Sequence, residues 1–266
     1  MTNISGMTAI WAILADPIHH VKTPEALNAV LRDREIDGVL IPVHVVADDL
    51  SRIVDGLRRM QNLKGFIVTV PHKSAMLELC DEADDSARAI GAVNTIRREN
   101  DGRLVGAMLD GTGFVAGLRT AGIEPSGMSV YLAGAGGAAN AIAFALADAG
   151  IAKLSIANRT RSKSDDLARR LHGHCPRLVI DVSTTDPSGH ELVVNATSLG
   201  LRDRDPLPLD VTRLDQTQIV AEIIMQPEIT PLLAAARLRG CGIQPGRPML
   251  TSQLHLMADF MGMVSS

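Results

Sequence analysis

The sequence predicts an α/β protein in which a second α/β unit follows the first. Three observations carry this reading. The chain has 266 residues, 46% of them hydrophobic, enough for one large domain or two modest ones with a sizeable core. Strand-like and helix-like segments alternate through its first third, which favours a mainly parallel sheet. Near the middle, residues 130–133 run apolar, Gly134 to Gly137 supply a glycine turn, and an alanine-rich helix follows at 140–149.

The elements follow in order. Residues 9–14 read as a buried strand, and 24–34 as a helix opened by Thr23 and Pro24. A second strand is predicted at 39–45. Residues 50–60 have helical spacing, with Ile53, Leu57 and Met60 on one face. A third strand runs from Gly65 to Val70 and stops at Pro71; a helix then passes through Met76, Leu77 and Cys80. Residues 93–98 and 103–107 flank Asn100-Asp101-Gly102, a hairpin signal that adds an antiparallel edge. The second domain opens near Asp110 with a helix at 111–121. After the glycine turn come a strand at 154–157, a helix at 164–171, and strands at 178–182, 192–195 and 219–222. Pro206, Pro208 and Asp210 mark an irregular loop, and a helix rich in Leu and Met closes the chain at 249–261.

The glycine turn carries the first chemical signal. Gly134, Gly136 and Ala139 fit G-x-G-x-x-A between a strand and a helix, the dinucleotide-binding context of a Rossmann domain. Gly134 allows the tight turn, Gly136 removes a Cβ where a pyrophosphate would approach, and Ala139 keeps the helix near the sheet. Backbone amides and the helix dipole favour an anion there, placing Ala135, Gly137 and Ala138 in the candidate site. The next strand ends in Asn158-Arg159-Thr160, with Arg161 and Lys163 close by. An NAD site usually has an acidic residue here, whereas a guanidinium pairs with a 2′-phosphate. NADP is therefore the expected cofactor, with NAD possible. Arg161 and Lys163 also read as ordinary solvated charges.

Net charge is −4, and no basic stripe interleaves with aromatics, so neither nucleic acid nor an anionic membrane is expected as partner. Neither a signal-peptide pattern nor a membrane-length apolar run is present. Cys80, Cys175 and Cys241 are widely separated and lack metal-ligand spacing. These features read as a cytoplasmic protein with free thiols and no metal.

Several short blocks then fall in order: Asp16-Pro17-Ile18 before Lys22-Thr23-Pro24, Val68-Thr69-Val70-Pro71-His72-Lys73, Gly91-Ala92-Val93-Asn94-Thr95, Asp110-Gly111, the glycine turn, Asn158-Arg159-Thr160, and Asn195-Ala196-Thr197-Ser198-Leu199-Gly200. In this order and spacing, from about Ile13 to Phe260, the chain resembles the shikimate dehydrogenase family. The resemblance implies an N-terminal substrate domain, 1–109, completed by C-terminal helices at 247–266, and a Rossmann domain at 110–246 between them, with hydride exchange between a nicotinamide and a ring alcohol or ketone, typically shikimate and 3-dehydroshikimate. It makes Lys73 the catalytic lysine and Asp110 its aspartate partner. It gives Thr23, Thr69, Asn94 and Gln253 substrate roles and sets Thr197 beside the cofactor. Plainer readings stand beside these: a helix N-cap for Thr23 and for Asp110, a turn residue for Asn94, an exposed helix residue for Gln253.

The departures from the family concern the substrate. Val21 stands for the first serine of S-x-S, Ile67 for an asparagine, and Met225 for a tyrosine. The serine pair and the tyrosine grip the substrate carboxylate in the family, so apolar groups here predict a less polar pocket. His19, His20 or His72 would be a substitute donor. The expected partners are a cyclic hydroxy acid and the nicotinamide cofactor, on a monomer or homodimer. The alternatives are another cyclic substrate, such as quinate or an amino-substituted analogue, or a non-catalytic cofactor-binding sensor.

Overall fold

The computed structural model describes residues 4–19, 21–202 and 204–264. The chain divides into two compact units, Met1–Leu109 with Leu254–Ser266, and Asp110–Gln253. Among the described residues, no helix is long and apolar enough to cross a membrane. The three cysteines are free.

The first unit contains β1 (Ala9–Ala15), α1 (Thr23–Asp33), β2 (Gly38–His44), α2 (Leu50–Arg59), β3 (Leu63–Val68), α3 (Lys73–Leu79), β4 (Glu82–Ala83), α4 (Asp85–Ile90), β5 (Thr95–Arg98) and β6 (Leu104–Ala107). They build a six-stranded sheet in the order β2-β1-β3-β5-β6-β4. β1 pairs in parallel with β2 and β3, and the β5–β6 hairpin is antiparallel. The sequence predicts the hairpin as the edge, but β4 pairs in parallel with β6 and takes that place. Two residues are too few to show a strand period.

Other differences are local. α2 buries Leu50, Val54 and Leu57, while Ile53 is exposed. β3 stops at Val68, because Thr69 already turns the chain by accepting from the His72 amide at 2.8 Å. α4, absent from the sequence reading, starts where the Asp84 carboxylate accepts from the Ala87 amide and ends at Gly91, whose φ is 76°.

With few aromatic side chains in the chain, one of them organises the core. Trp11 is buried, and a Cβ on Gly38 would lie 2.4 Å from its ring, so the ring packs where β2 offers only hydrogen. Its indole N–H donates to the Met261 carbonyl at 3.1 Å. Met257, Met261 and Met263 join Ile13, Leu27 and Leu40 in the same cluster, which brings the chain's end back to this unit.

The second unit contains α5 (Asp110–Thr120), β7 (Ser129–Ala133), α6 (Gly137–Asp148), β8 (Lys153–Ala157), α7 (Arg161–His174), β9 (Val179–Asp181), β10 (Leu192–Asn195), β11 (Ile219–Glu222), α8 (Pro231–Leu238) and β12 (Gly242–Gln244). All strands are parallel, in the order β9-β8-β7-β10-β11-β12. This is the doubly wound order of a Rossmann sheet. α8 and β12 are additions to the sequence reading. Their missed signal is Thr230-Pro231, an N-cap followed by proline, with the threonine hydroxyl accepting from the Leu233 amide at 3.2 Å.

α6 begins at Gly137, ahead of the predicted start, with Gly136 as its N-cap. It is apolar nearly all round because α5 covers it: a Cβ on Gly111 would lie 1.9 Å from the Ala141 carbonyl oxygen. The last helix, α9 (Arg247–Phe260), straddles the division of the chain. Its first half packs on α5, where a Cβ on Gly113 would be 2.7 Å from the Gln253 Cβ, and one on Gly117 would be 2.8 Å from the Met249 nitrogen. For this reason the second unit ends at Gln253 and not at residue 246.

Candidate active site

β7 and β10 are neighbours at the point where the strand order reverses, and ligands of such sheets bind beyond the carboxyl ends of those strands. Gly134 follows β7 with φ 118°, and its amide donates to the Ala157 carbonyl at 2.7 Å. A Cβ there would lie 3.0 Å from the Ala196 carbonyl oxygen, just past β10. Gly136 is different: its φ is −84°, and a Cβ on it would meet nothing within 4 Å. Bare backbone therefore faces open space at the N-terminus of α6, whose first turn carries no acidic residue. That is the arrangement a diphosphate requires.

Asn140, which sequence reasoning missed, secures this turn. It is buried, and its amide donates to the carbonyls of Gly136 at 2.7 Å and Ala135 at 3.1 Å. Its carbonyl oxygen accepts from the Arg170 guanidinium on α7. The available signal is one asparagine inside the apolar run 137–147.

A cavity of about 710 Å³ brings Gly134, Ala135, Gly136, Asn158, Arg159 and Thr197 together, with Tyr131 and Leu209 among its walls. A second cavity, of about 420 Å³, is lined by Gly137, Lys163 and Arg170 along with Ala135 and Gly136. Arg159 and Lys163 thus line different cavities. Ala138 and Thr160 line neither. Thr160 is the N-cap of α7, and its carbonyl accepts from the Asn158 side chain at 2.9 Å. Arg161 pairs with Asp165 at 3.0 Å along α7, in keeping with its reading as a solvated charge.

The loop after β10 is held by its own side chains. The Asn195 carbonyl oxygen accepts from the Thr197 amide at 3.1 Å and hydroxyl at 2.7 Å. The Asn195 amide group donates to the Glu222 carboxylate at 2.8 Å. Glu222 is 1% exposed, and burial pushes its carboxyl above the usual carboxylate range.

In the first unit, backbone bonds draw three candidates to one end of the sheet. The Thr69 amide donates to the Leu14 carbonyl at 3.1 Å, the Val68 amide to Asn94 at 2.9 Å, and the Val93 amide to Lys73 at 3.0 Å. Lys73, half-buried, is the first residue of α3. Asn94 is no turn residue: it is buried, and its side-chain oxygen accepts from the Leu109 amide and the Thr95 hydroxyl, both at 3.0 Å. Thr23 is the first residue of α1 and not its cap, which is Lys22. Val21 is half-buried against the core.

Two expectations need correction. Ile67 is 3% exposed and belongs to the hydrophobic core, because it faces inward on a strand paired on both sides. It offers a ligand almost no surface. His72 is buried, with Nε2 bonded to the Val45 carbonyl at 2.8 Å, so that nitrogen ties α3 to the chain after β2. His19 is exposed, and His20 lies outside the described residues.

In the second unit, Asp110 is buried as the first residue of α5 and accepts a hydrogen bond from the Gln253 side-chain amide. Gln253 is therefore more than an exposed helix residue. Met225, beyond β11, is 40% exposed.

Residues 13–96 match the model of the shikimate dehydrogenase substrate binding domain, and residues 119–198 that of shikimate / quinate 5-dehydrogenase. An NADP(+) shikimate dehydrogenase of Rubrobacter xylanophilus is 40% identical over 254 residues, which cover 94% of this chain and 89% of that protein. A Listeria monocytogenes shikimate 5-dehydrogenase, solved with shikimate and NAD, has a TM-score of 0.90 at 27% identity and covers 99% of this chain and 93% of its own. The 5-ketofructose reductase of Gluconobacter sp. strain CHM43 has a TM-score of 0.89 at 32% identity, with 96% and 93% covered. The glycine turn at the strand-order reversal and a likeness that runs through nearly the whole chain lead to one conclusion: this protein belongs to the shikimate dehydrogenase family of oxidoreductases.

Proposed function

We propose that this chain is an NADP-dependent dehydrogenase that interconverts a ring alcohol and its ketone, with shikimate or quinate as the first substrates to try. The first unit takes the substrate and the second the cofactor. The observation that carries the cofactor reading is the cavity in which Gly134, Gly136 and Arg159 converge beyond β7. The glycine-turn amides suit the diphosphate, and the Arg159 guanidinium suits a 2′-phosphate. When bound, the nicotinamide supplies or accepts the hydride.

The chain's own residues handle the proton. Lys73 gives a proton to the substrate oxygen as the ketone is reduced and takes it back in oxidation. Asp110, fixed by Gln253, orients that lysine. Thr69 and Asn94, at the same end of the first sheet as Lys73, bond the ring hydroxyls.

A second reading has a specific motive. Val21 and Met225 give a carboxylate no hydroxyl partner, and the Gluconobacter relative is a reductase of a keto sugar, which carries no carboxylate. A panel of shikimate, quinate and an amino-substituted analogue with NADP⁺ and NAD⁺, and of 5-ketofructose with NADPH and NADH, separates the readings. Turnover of shikimate or quinate with NADP supports the first. Turnover of the keto sugar alone favours the second. Cofactor binding without turnover of any alcohol or ketone overturns both and leaves a sensor.

A further inference from the structure

Asp148, His174 and Cys175 meet at the ends of two neighbouring helices, away from the nucleotide cavity. Asp148 is the last residue of α6, His174 the last of α7, and Cys175 the C-cap of α7. One oxygen, one imidazole nitrogen and the sulfur all lie within 4.8 Å of one another. The histidine and aspartate side chains hold each other, and the backbone at Cys175 is fixed. His174 Nε2 is 2.6 Å from the Asp148 carboxylate, and its ring stands edge-on to Phe144 with centroids 5.2 Å apart. The Cys175 amide donates to the Leu171 carbonyl at 2.7 Å.

Two electrostatic facts point the same way. The C-termini of α6 and α7 both end here, and a helix C-terminus carries partial negative charge. Asp148 adds a carboxylate at that end, which a cation offsets. The donor set then selects the cation. Thiolate, imidazole and carboxylate together suit a borderline-soft divalent ion such as zinc, whereas magnesium and calcium want oxygen alone. Metal–ligand distances of about 2.0–2.3 Å put tetrahedral ligand atoms about 3.4 Å apart, so the ion would replace the His174–Asp148 hydrogen bond, that pair opening by under 1 Å while the wider spacings within 4.8 Å close.

We propose that Asp148, His174 and Cys175 form a site for a zinc-class divalent ion, with water in the fourth position. On binding, the thiol loses its proton to solvent and the imidazole coordinates as the neutral ring. The ion would clamp α7 to α6. Arg170, on the last turns of α7, reaches Asn140 and so the glycine turn, which gives the clamp a route to the nucleotide site.

The test titrates the full-length, chelator-treated protein with Co²⁺ under a phosphine reductant and reads absorption. The wild type should show a thiolate-to-cobalt charge-transfer band that saturates at one ion and is displaced by Zn²⁺. Cys175→Ser should abolish the band, and His174→Gln should weaken binding about tenfold or more while keeping the thiol. Circular dichroism and thermal unfolding of each variant report folding. Should Cys175→Ser fail to fold, the His174→Gln titration decides alone. A wild type without the band, or variants that bind Co²⁺ like the wild type, overturns the proposal.

Discussion

Alanine at Gly134 and alanine at Gly136 should fail for different reasons, and the pair tests how the turn works. Gly134 has φ 118°, and a Cβ there would sit 3.0 Å from the Ala196 oxygen and 3.1 Å from the Ala196 carbonyl carbon. Holding an L-residue in such a conformation costs about 1–3 kcal/mol. The two close contacts are with backbone at the end of β10, which must give by a few tenths of an ångström. Overpacking of that kind brings the total to about 2–4 kcal/mol. At about 2–4 °C per kcal/mol for a chain of this size, Gly134→Ala should lower Tm by about 4–16 °C. Gly136 has φ −84° and open space around its missing Cβ, so Gly136→Ala should leave Tm almost unchanged. That same space is where the diphosphate would lie. The added methyl should weaken NADP binding about tenfold or more, equivalent to about 1.4 kcal/mol. The assays are thermal unfolding of the ligand-free variants by circular dichroism and titration with NADPH by fluorescence. Full-strength binding by Gly136→Ala would refute the placement of the diphosphate. An unchanged Tm in Gly134→Ala would refute the strain argument.

Lys73→Ala should lower kcat about 10²-fold or more and leave NADP affinity near wild type; near-normal kcat on the true substrate would remove Lys73 from the mechanism. Arg159→Ala should weaken NADP far more than NAD in parallel binding titrations, and equal losses would leave the arginine only a stacking role. Val21→Ser with Met225→Tyr should lower KM for shikimate, since each restored partner of a buried carboxylate is worth about 1–3 kcal/mol. An unchanged KM would mean that other groups hold the carboxylate. Glu222 tests pH dependence. Its folded pKa is raised by burial, so the folded state binds more protons than the unfolded state between the ordinary glutamate value and the raised one. Stability is lost as pH rises through that window. Glu222→Gln, which keeps an acceptor for Asn195, should therefore raise Tm at neutral pH and lose this advantage near pH 4; equal effects at both would show that burial of the charge is not the cause.

The sequence reading and the fold agree where the signal is local. The apolar strands 192–195 and 219–222, the hairpin around Asn100-Asp101-Gly102 and the glycine turn all announce themselves within a few residues. Disagreement begins where an element is very short or its burial is set by neighbours. β4 has two residues and no period to read. Ile53 has the right spacing for the buried face of α2, yet the helix turns Leu50, Val54 and Leu57 inward. Ile67 looks like a pocket residue by its place in a motif, while pairing on both sides of β3 puts it in the core.

By itself, then, the sequence determined the α/β class, the dinucleotide turn and the family, because periodicity, turn chemistry and motif order are properties of residues near one another along the chain. Only the tertiary structure decided which side chains share a partner. Gln253 reaches Asp110 across 143 positions, and Asp148 meets His174 across 26. Arg159 and Lys163, four positions apart, line different cavities. Such pairings come from how helices pack on the sheet. Backbone contacts at Gly111, Gly113 and Gly117 set that packing, and no local pattern records what a missing side chain will touch.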